Sequence, residues 1–122
     1  MTPESSIVLD EIKGPQAQRE FSALEDEGFS VAPPGRYLDD FPIWDPEHSP
    51  SVGTVFRLGA FDRFPKGGGK LVAAAGVRLA ELHAPHGPLP VALIGAVATA
   101  PDYRGRGLAT QLVSLAVKWA TE

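Results

Sequence analysis

A glycine-rich turn with two arginines lies late in the sequence, between a run of small apolar residues and an amphipathic segment. It is the stretch Val97-Ala-Thr-Ala-Pro-Asp-Tyr-Arg-Gly-Arg-Gly-Leu-Ala-Thr110. Gly105 and Gly107 lack side chains where the backbone would meet a ligand, and the first amides of a following helix have no acceptor within that helix. These amides, the helix dipole and the guanidinium groups of Arg104 and Arg106 would together bind a diphosphate. The sequence therefore predicts an anion-binding helix start.

Composition limits the function classes that are open to the chain. Its 122 residues are 43% hydrophobic, which is enough for one domain with a modest core. A net charge of -4 with scattered Lys and Arg argues against a general nucleic-acid binder. The absence of cysteine excludes disulfides, thiolate metal ligands and a cysteine nucleophile. Because the sequence shows neither a signal segment nor a long apolar stretch, we expect no membrane partner and a cytoplasmic location.

Hydrophobic periodicity predicts the elements that would position the turn. Pro15 to Glu27 has one apolar face and predicts a helix. Five prolines between Val31 and Pro50 predict a packed loop without regular structure. Alternation predicts a strand from Thr54 to Phe61 and a return strand from Lys70 to His83, joined by a glycine-rich turn.

The last third of the chain continues this pattern. We expect a proline-rich loop from Ala84 to Pro90, then a strand from Val91 to Thr99. From Leu108 onward, apolar residues at helical spacing predict a helix whose apolar face lies on the sheet. The three strands would form an antiparallel meander.

The turn also resembles the signature of a known family. Arg104-Gly-Arg-Gly-Leu-Ala109 fits the Arg/Gln-x-x-Gly-x-Gly/Ala pattern of the GNAT N-acetyltransferases. Val91 to Val97 resembles the fourth strand of that family, and Leu108 to Glu122 resembles its third helix. The resemblance implies an α+β fold, mostly an antiparallel sheet with helices packed on it. Residues 1–122 would then be a single acyl-CoA-binding domain that ends after the third helix, without the C-terminal half of the fold.

Acetyl-CoA is the co-substrate that the resemblance implies, with transfer of the acetyl group to a primary amine on a small molecule or peptide. The pantetheine arm would pair with the end of the strand, and the diphosphate would bind the turn and the helix start. The residues implied for this cofactor are Val97, Ala98, Thr99, Arg104, Gly105, Arg106, Gly107, Leu108, Ala109 and Thr110. Small side chains near the end of the strand would allow the close approach that such pairing needs.

No catalytic residue can be assigned from the sequence. The resemblance implies an acidic general base on the fourth strand, but Val91 to Ile94 is entirely apolar. It also implies a tyrosine acid beyond a fifth strand, and neither Tyr37 nor Tyr103 matches that place. Glu81 and His83 are conceivable bases, although we expect a solvated strand end there.

Trp44 is our candidate for binding the acceptor. An aromatic face among carboxylates would suit a positively charged amine, and the neighbouring acids are Asp39, Asp40, Asp45 and Glu47. The alternative is a core tryptophan within an acidic surface loop. His83 and His86 have no third ligand nearby in sequence, so we predict no metal site.

Two other functions stay open. The chain could be a non-catalytic module that binds acyl-CoA or a partner, or a dinucleotide-binding unit. The dinucleotide hypothesis needs a glycine or alanine where Thr110 stands and an acidic residue about twenty positions further on, and neither is present. The strand Val91 to Thr99 would have an unpaired edge, which we expect a second copy or another chain to cover.

Overall fold

Four strands that follow one another in sequence form one antiparallel sheet in the computed structural model of the protein, which describes residues 6–30, 36–44, 54–64 and 69–121. The strands are β1 (Ser6–Glu11), β2 (Thr54–Arg63), β3 (Gly69–Ala84) and β4 (Gly87–Thr99). The helices are α1 (Pro15–Gly28), α2 (Arg36–Asp40) and α3 (Leu108–Ala120), and two single 3-10 turns span Pro42–Trp44 and Pro101–Tyr103. No described helix is long and apolar enough to cross a membrane.

The predicted meander of β2, β3 and β4 is confirmed, and so is the α+β fold class with helices on the sheet. Strand β1 was not predicted. It is a short edge strand whose residues alternate between exposed and half-buried, and it pairs antiparallel with β2. A run of only three apolar residues, Ile7 to Leu9, gives a weak sequence signal for such a strand.

The prediction of a proline-rich loop from Ala84 to Pro90 is wrong. Only two residues separate β3 from β4, and Ala84 pairs with Gly87 across the turn. Pro88 and Pro90 lie within β4, which is an edge strand. An edge strand tolerates proline because half of its amides point away from the ladder.

A β-bulge in β3 sets which residues face each side of the sheet. The register shifts at Val72, so Val72 and Ala73 both face α3. Beyond the bulge the strand alternates normally, with Ala75 and Val77 towards α3 and Ala74 towards α1. Helices α1 and α3 therefore pack on opposite faces, and each covers its own hydrophobic core.

Helix α1 begins after Gly14, with Pro15 in its first turn, and it buries Phe21 and Leu24 against the sheet. Its last residue, Gly28, lies against β4, because an added Cβ would be 3.0 Å from the Cβ of Ala98. The close approach explains the glycine at this position. This contact places the C-terminal end of α1 directly over the end of β4.

Part of the predicted irregular loop is helical, which corrects that expectation. Helix α2 is held against α1 by Tyr37, whose backbone amide donates a hydrogen bond to Asp26 Oδ1 at 2.8 Å. The Tyr37 ring lies between Phe29 and Phe41, with ring centroids 4.6 and 4.9 Å away. The flanking prolines still limit α2 to five residues. Asp45 and Glu47 lie outside the described residues.

Candidate functional site

Strand β4 is interrupted by a bulge shortly before it ends. The register with β3 shifts between Ala74 and Gly76, where Ala96 and Val97 together oppose Ala75. Ala96 has a φ of +52°, a region that a residue with a side chain adopts only at an energetic cost. A bulge bends its strand and leaves backbone groups outside the ladder. The bend includes Val97, the first of the residues expected to meet a pantetheine arm.

The end of β4 has small side chains and an open outer edge. Ala96 and Ala98 are buried on the α1 side, and Val97 packs towards the α3 core. Thr99 is half-buried. The strand is last in the sheet order, so no described strand pairs with its outer edge. Its free N–H and C=O groups could accept an extended ligand as an added strand.

The turn that follows β4 is held by its own backbone. The Ala100 amide donates to the Val72 carbonyl oxygen at 2.8 Å, and the Tyr103 amide donates to the Ala100 carbonyl oxygen at 2.9 Å. Gly105 and Gly107 then have φ values of +80° and +75°, and an added Cβ at either would meet nothing within 4 Å. Both glycines are required for the backbone conformation, and the space beside them is open.

The two arginines of the turn are exposed but oriented by hydrogen bonds. Arg104 Nε donates to the Thr99 carbonyl oxygen at 3.2 Å, and Arg106 Nη2 donates to the Asp102 carbonyl oxygen at 3.3 Å. The Arg106 guanidinium also lies 4.7 Å from the centroid of the Tyr103 ring. Two cations are therefore held close to the glycines while remaining accessible to solvent.

Helix α3 begins with uncapped amides. The first bond of its ladder runs from the Gln111 amide to the Gly107 carbonyl oxygen, at 3.0 Å, so the amides of residues 108–110 precede the ladder. Gly107 provides no side-chain cap, and the first turn contains no acidic residue. Leu108 is buried and fixes the start of the helix against the sheet. Uncapped amides at the positive end of the dipole, two glycines with open space beside them and two exposed arginines thus lie together within residues 104–110.

Trp44 lies in the core of the α1 side, with 7% of its surface exposed. Its indole lies over the paired glycines Gly76 and Gly95, and an added Cβ at either would come within 2.4 or 2.6 Å of a ring carbon. The ring fills a slot that only glycine leaves open. This burial supports the core interpretation of Trp44 over direct contact with an acceptor.

Glu25 is a buried acid that the sequence analysis did not single out. Its side chain is fully buried, and neither carboxylate oxygen has a hydrogen-bond partner among the described residues. Burial, with the adjacent Asp26 charge, raises the pKa of Glu25 to about 8. Burial, with Glu25 nearby, also raises the pKa of Tyr37 to about 12. The helical spacing of Glu25 from Phe21 was the available signal, because it places an acid on the apolar face of α1.

Glu81, His83 and His86 are exposed at the far end of the hairpin. Glu81 is eight positions along β3 from Ala73, the partner of Thr99, which is roughly 26 Å of strand. The structure therefore does not bring these residues to the diphosphate turn. Within the described ranges, no three His, Asp or Glu side chains are placed to hold a metal ion.

Comparison with known proteins gives a consistent assignment. The sequence model of the family described as "Acetyltransferase (GNAT) domain" matches residues 17–120. The sequence matches none of the curated proteins.

Among solved structures, an acetyltransferase of Trypanosoma brucei aligns with a TM-score of 0.67 at 18% identity, over 95% of this chain and 75% of that one. An N-acetyltransferase from Kribbella flavida aligns with a TM-score of 0.64 at 21% identity, over 95% of this chain and 28% of that one. A GNAT family N-acetyltransferase from Escherichia coli, solved in complex with CoA, aligns with a TM-score of 0.65 at 20% identity, over 98% of this chain and 59% of that one.

At these identities the structural likeness establishes the fold, and the chain spans from 28% to 75% of the lengths of these three proteins. The family match is the stronger finding, since it covers nearly the whole chain and includes β4, the glycine turn and α3. The resemblance noted in Arg104 to Ala109 is confirmed, and the chain belongs to the GNAT acetyltransferase family.

Proposed function

We propose that this chain binds acetyl-CoA between the outer edge of β4 and the start of α3, and that it transfers the acetyl group to a primary amine. The observation that carries the proposal is the set of uncapped amides at residues 108–110, next to Gly105 and Gly107 with open space beside them. The residues present fit a diphosphate, because the donors are unpaired within the helix and no carboxylate of the first turn competes for them.

Charge at the turn supports the same ligand. Arg104 and Arg106 are exposed, and the described hydrogen bonds to the Thr99 and Asp102 carbonyl oxygens use one guanidinium nitrogen of each. The remaining N–H groups can bind phosphate oxygens, and charge-assisted bonds of this kind are stronger than neutral ones. The chain as a whole has a net charge of -4, so this local positive site would select the anionic cofactor at one place.

The edge of β4 would position the rest of the cofactor. Val97, Ala98 and Thr99 have small or medium side chains, and the bulge at Ala96 and Val97 redirects the strand where they begin. An amide-containing pantetheine arm can pair with such an edge as an added strand. The N–H of Thr99 or a neighbour would then donate to the thioester oxygen and stabilise the charge that develops there.

Acetyl-CoA, when bound, supplies an activated thioester for direct attack by the neutral amine. The chain's own contribution would be to hold that thioester in one orientation and to exclude water by packing α1 over the end of β4 at Gly28 and Ala98. The solved Escherichia coli relative was crystallised with CoA, which agrees with the proposed ligand.

A non-catalytic acyl-CoA-binding module is the second candidate function. It is favoured by the apolar sequence Val91 to Ile94, which places no acid on β4, and by the distance of Glu81 and His83 from the turn. Transfer of radiolabelled acetyl groups to a panel of primary amines separates the two. Binding of CoA without transfer to any amine would favour the module.

The binding proposal is tested by the variant Gly107→Asp and isothermal titration with CoA. The new carboxylate would accept hydrogen bonds from the amides at the start of α3 and repel phosphate, so we expect affinity to fall at least about tenfold. Gly14→Asp is the matched control, because Gly14 also precedes a helix, has a φ of +89° and has open space around it. Equal CoA affinity in both variants and the native chain would contradict the proposal.

A further inference from the structure

Asp62 is a buried carboxylate beneath the glycine turn. It lies in β2, pairs in register with Lys70 of β3, and is 3% exposed. Its Oδ2 accepts a hydrogen bond from the Tyr103 hydroxyl at 2.5 Å, while Oδ1 has no partner among the described residues. Burying an acid with one hydrogen bond is unfavourable, so an aspartate in this strand position calls for an explanation beyond packing.

Tyr103 contacts that carboxylate through its hydroxyl and lies close to two cations. The Lys70 ammonium lies 5.2 Å from the centroid of the Tyr103 ring, and the Arg106 guanidinium lies 4.7 Å from it. Neither cation forms an ion pair with Asp62. The hydrogen bond to Asp62 raises the pKa of Tyr103, so its hydroxyl keeps the proton and remains a donor.

Between Tyr103 and the buried Leu108, the described hydrogen bonds of the turn are local or reach only the end of β4. A Cβ added at Gly105 or Gly107 would meet nothing within 4 Å, and the backbone hydrogen bonds of the turn are local. The Arg104 side chain bonds to the Thr99 carbonyl oxygen at the end of β4, and its amide donates to the Pro101 carbonyl oxygen within the turn. Among the described hydrogen bonds of residues 101–107, that of the Tyr103 hydroxyl is the one that reaches β2. It connects the turn to the middle of the sheet.

We infer that Asp62 and Tyr103 are a positioning pair, which holds the turn and the uncapped amides of α3 in the anion-binding arrangement before the cofactor arrives. The inference rests on the proposed function, since it concerns binding of the diphosphate by that turn. Glycines give the turn freedom that a ligand would otherwise have to remove at the expense of affinity. The pair removes part of that freedom in advance.

The pair has a second consequence for the charges at the turn. The Asp62 carboxylate bonds to the Tyr103 hydroxyl, and among the described contacts it forms no ion pair with Lys70 or Arg106. Both remain available to an anion in solvent. A direct ion pair would have satisfied Asp62 better and left the turn with less positive charge.

The test measures binding of CoA and of pantetheine, which lacks the diphosphate, to the whole chain. For Tyr103→Phe we expect CoA affinity to fall about tenfold and pantetheine affinity to stay within about twofold. In an Asp62→Ala background the same tyrosine change should alter CoA affinity less than about twofold, because the bond it removes is already lost. Asp62→Asn keeps an acceptor for the hydroxyl and should bind CoA within about threefold of the native chain.

Tyr37→Phe is the matched control, since Tyr37 lies on the opposite face of the sheet, and its CoA affinity should be unchanged. The inference is overturned if Tyr103→Phe binds CoA as the native chain does, if it weakens pantetheine equally, or if its effect persists in the Asp62→Ala background. Should the alanine variant not fold, a loss in Asp62→Asn as large as that in Tyr103→Phe overturns it instead. Failure of the native chain to bind CoA would refute the proposed function, which is a different result.

Discussion

The two faces of the sheet are built in different ways. On the α3 face the buried side chains are aliphatic, among them Leu58, Val77 and Leu112, and Asp62 lies at the edge of that face next to the turn. On the α1 face Glu25 and Asp26 are buried, and a tryptophan is fitted onto glycines. The interior of the α3 face therefore mainly stabilises the fold, while its buried acid lies at the edge that adjoins the turn. The α1 face instead buries two acidic side chains of α1 itself, Glu25 and Asp26.

The largest effect that we expect concerns the α3 face. Leu112 is fully buried between α3 and the sheet, so Leu112→Ala should lower the free energy of unfolding by roughly 3–5 kcal/mol. Urea denaturation followed by circular dichroism measures the change. Leu115→Ala, at a half-buried position of the same helix, should have a clearly smaller effect. Equal losses at the two positions would show that α3 does not hold the sheet by this core.

The pH dependence of stability should be set on the α1 face. The Glu25 carboxyl has a pKa of about 8 in the folded chain, whereas in the unfolded chain its pKa is near 4.5. Between these two pH values only the unfolded state ionises, which stabilises it relative to the folded state. The free energy of unfolding should therefore fall by on the order of 3 kcal/mol as pH rises from 5 to 8. Above about pH 9, where Glu25 is ionised in both states, this contribution no longer changes.

Glu25→Gln removes the titrating group and should flatten that decline. Denaturation at several pH values measures both chains, and the informative quantity is the difference in slope rather than stability at any one pH. Asp26→Asn is less informative, because Asp26 accepts the Tyr37 amide and the substitution alters that bond as well. A decline in Glu25→Gln as steep as in the native chain would show that Glu25 is already ionised when folded.

Local sequence signals predicted the elements whose structure depends mainly on their own residues. The helix at Pro15, the strand pair β2 and β3, and α3 were all found from periodicity and from glycine or proline at their ends. The hairpin turn was missed because proline argues for a loop, whereas Pro88 and Pro90 are acceptable on an edge strand. Only the sheet order, which is not local, makes β4 an edge.

In the candidate site, too, the features set by local sequence could be predicted, and those set by long-range contacts could not. The turn from Arg104 to Gly107 has a signature because backbone geometry requires those glycines at fixed spacing. The partnership of Asp62 and Tyr103, and the slot for Trp44, join residues far apart in sequence and depend on register. No spacing rule within one segment connects them. Glu25 could have been noticed as an acid on an apolar helical face, but its missing partners are a property of the packed structure.

The smallest of the expected effects would sharpen the contrast between the faces at Trp44. Gly76→Ala would bring a methyl group within 2.4 Å of the indole, so we expect a loss of about 2 kcal/mol from overpacking. In a Trp44→Leu background, where the ring is absent, the same alanine should have less effect, and a double-mutant cycle measures the coupling. Gly87→Ala is a control for glycine replacement in the hairpin, since nothing lies within 4 Å of its added Cβ, although its φ of +120° adds backbone strain. Coupling near zero between Gly76 and Trp44 would show that the indole does not occupy the slot, and would reopen a surface role for Trp44.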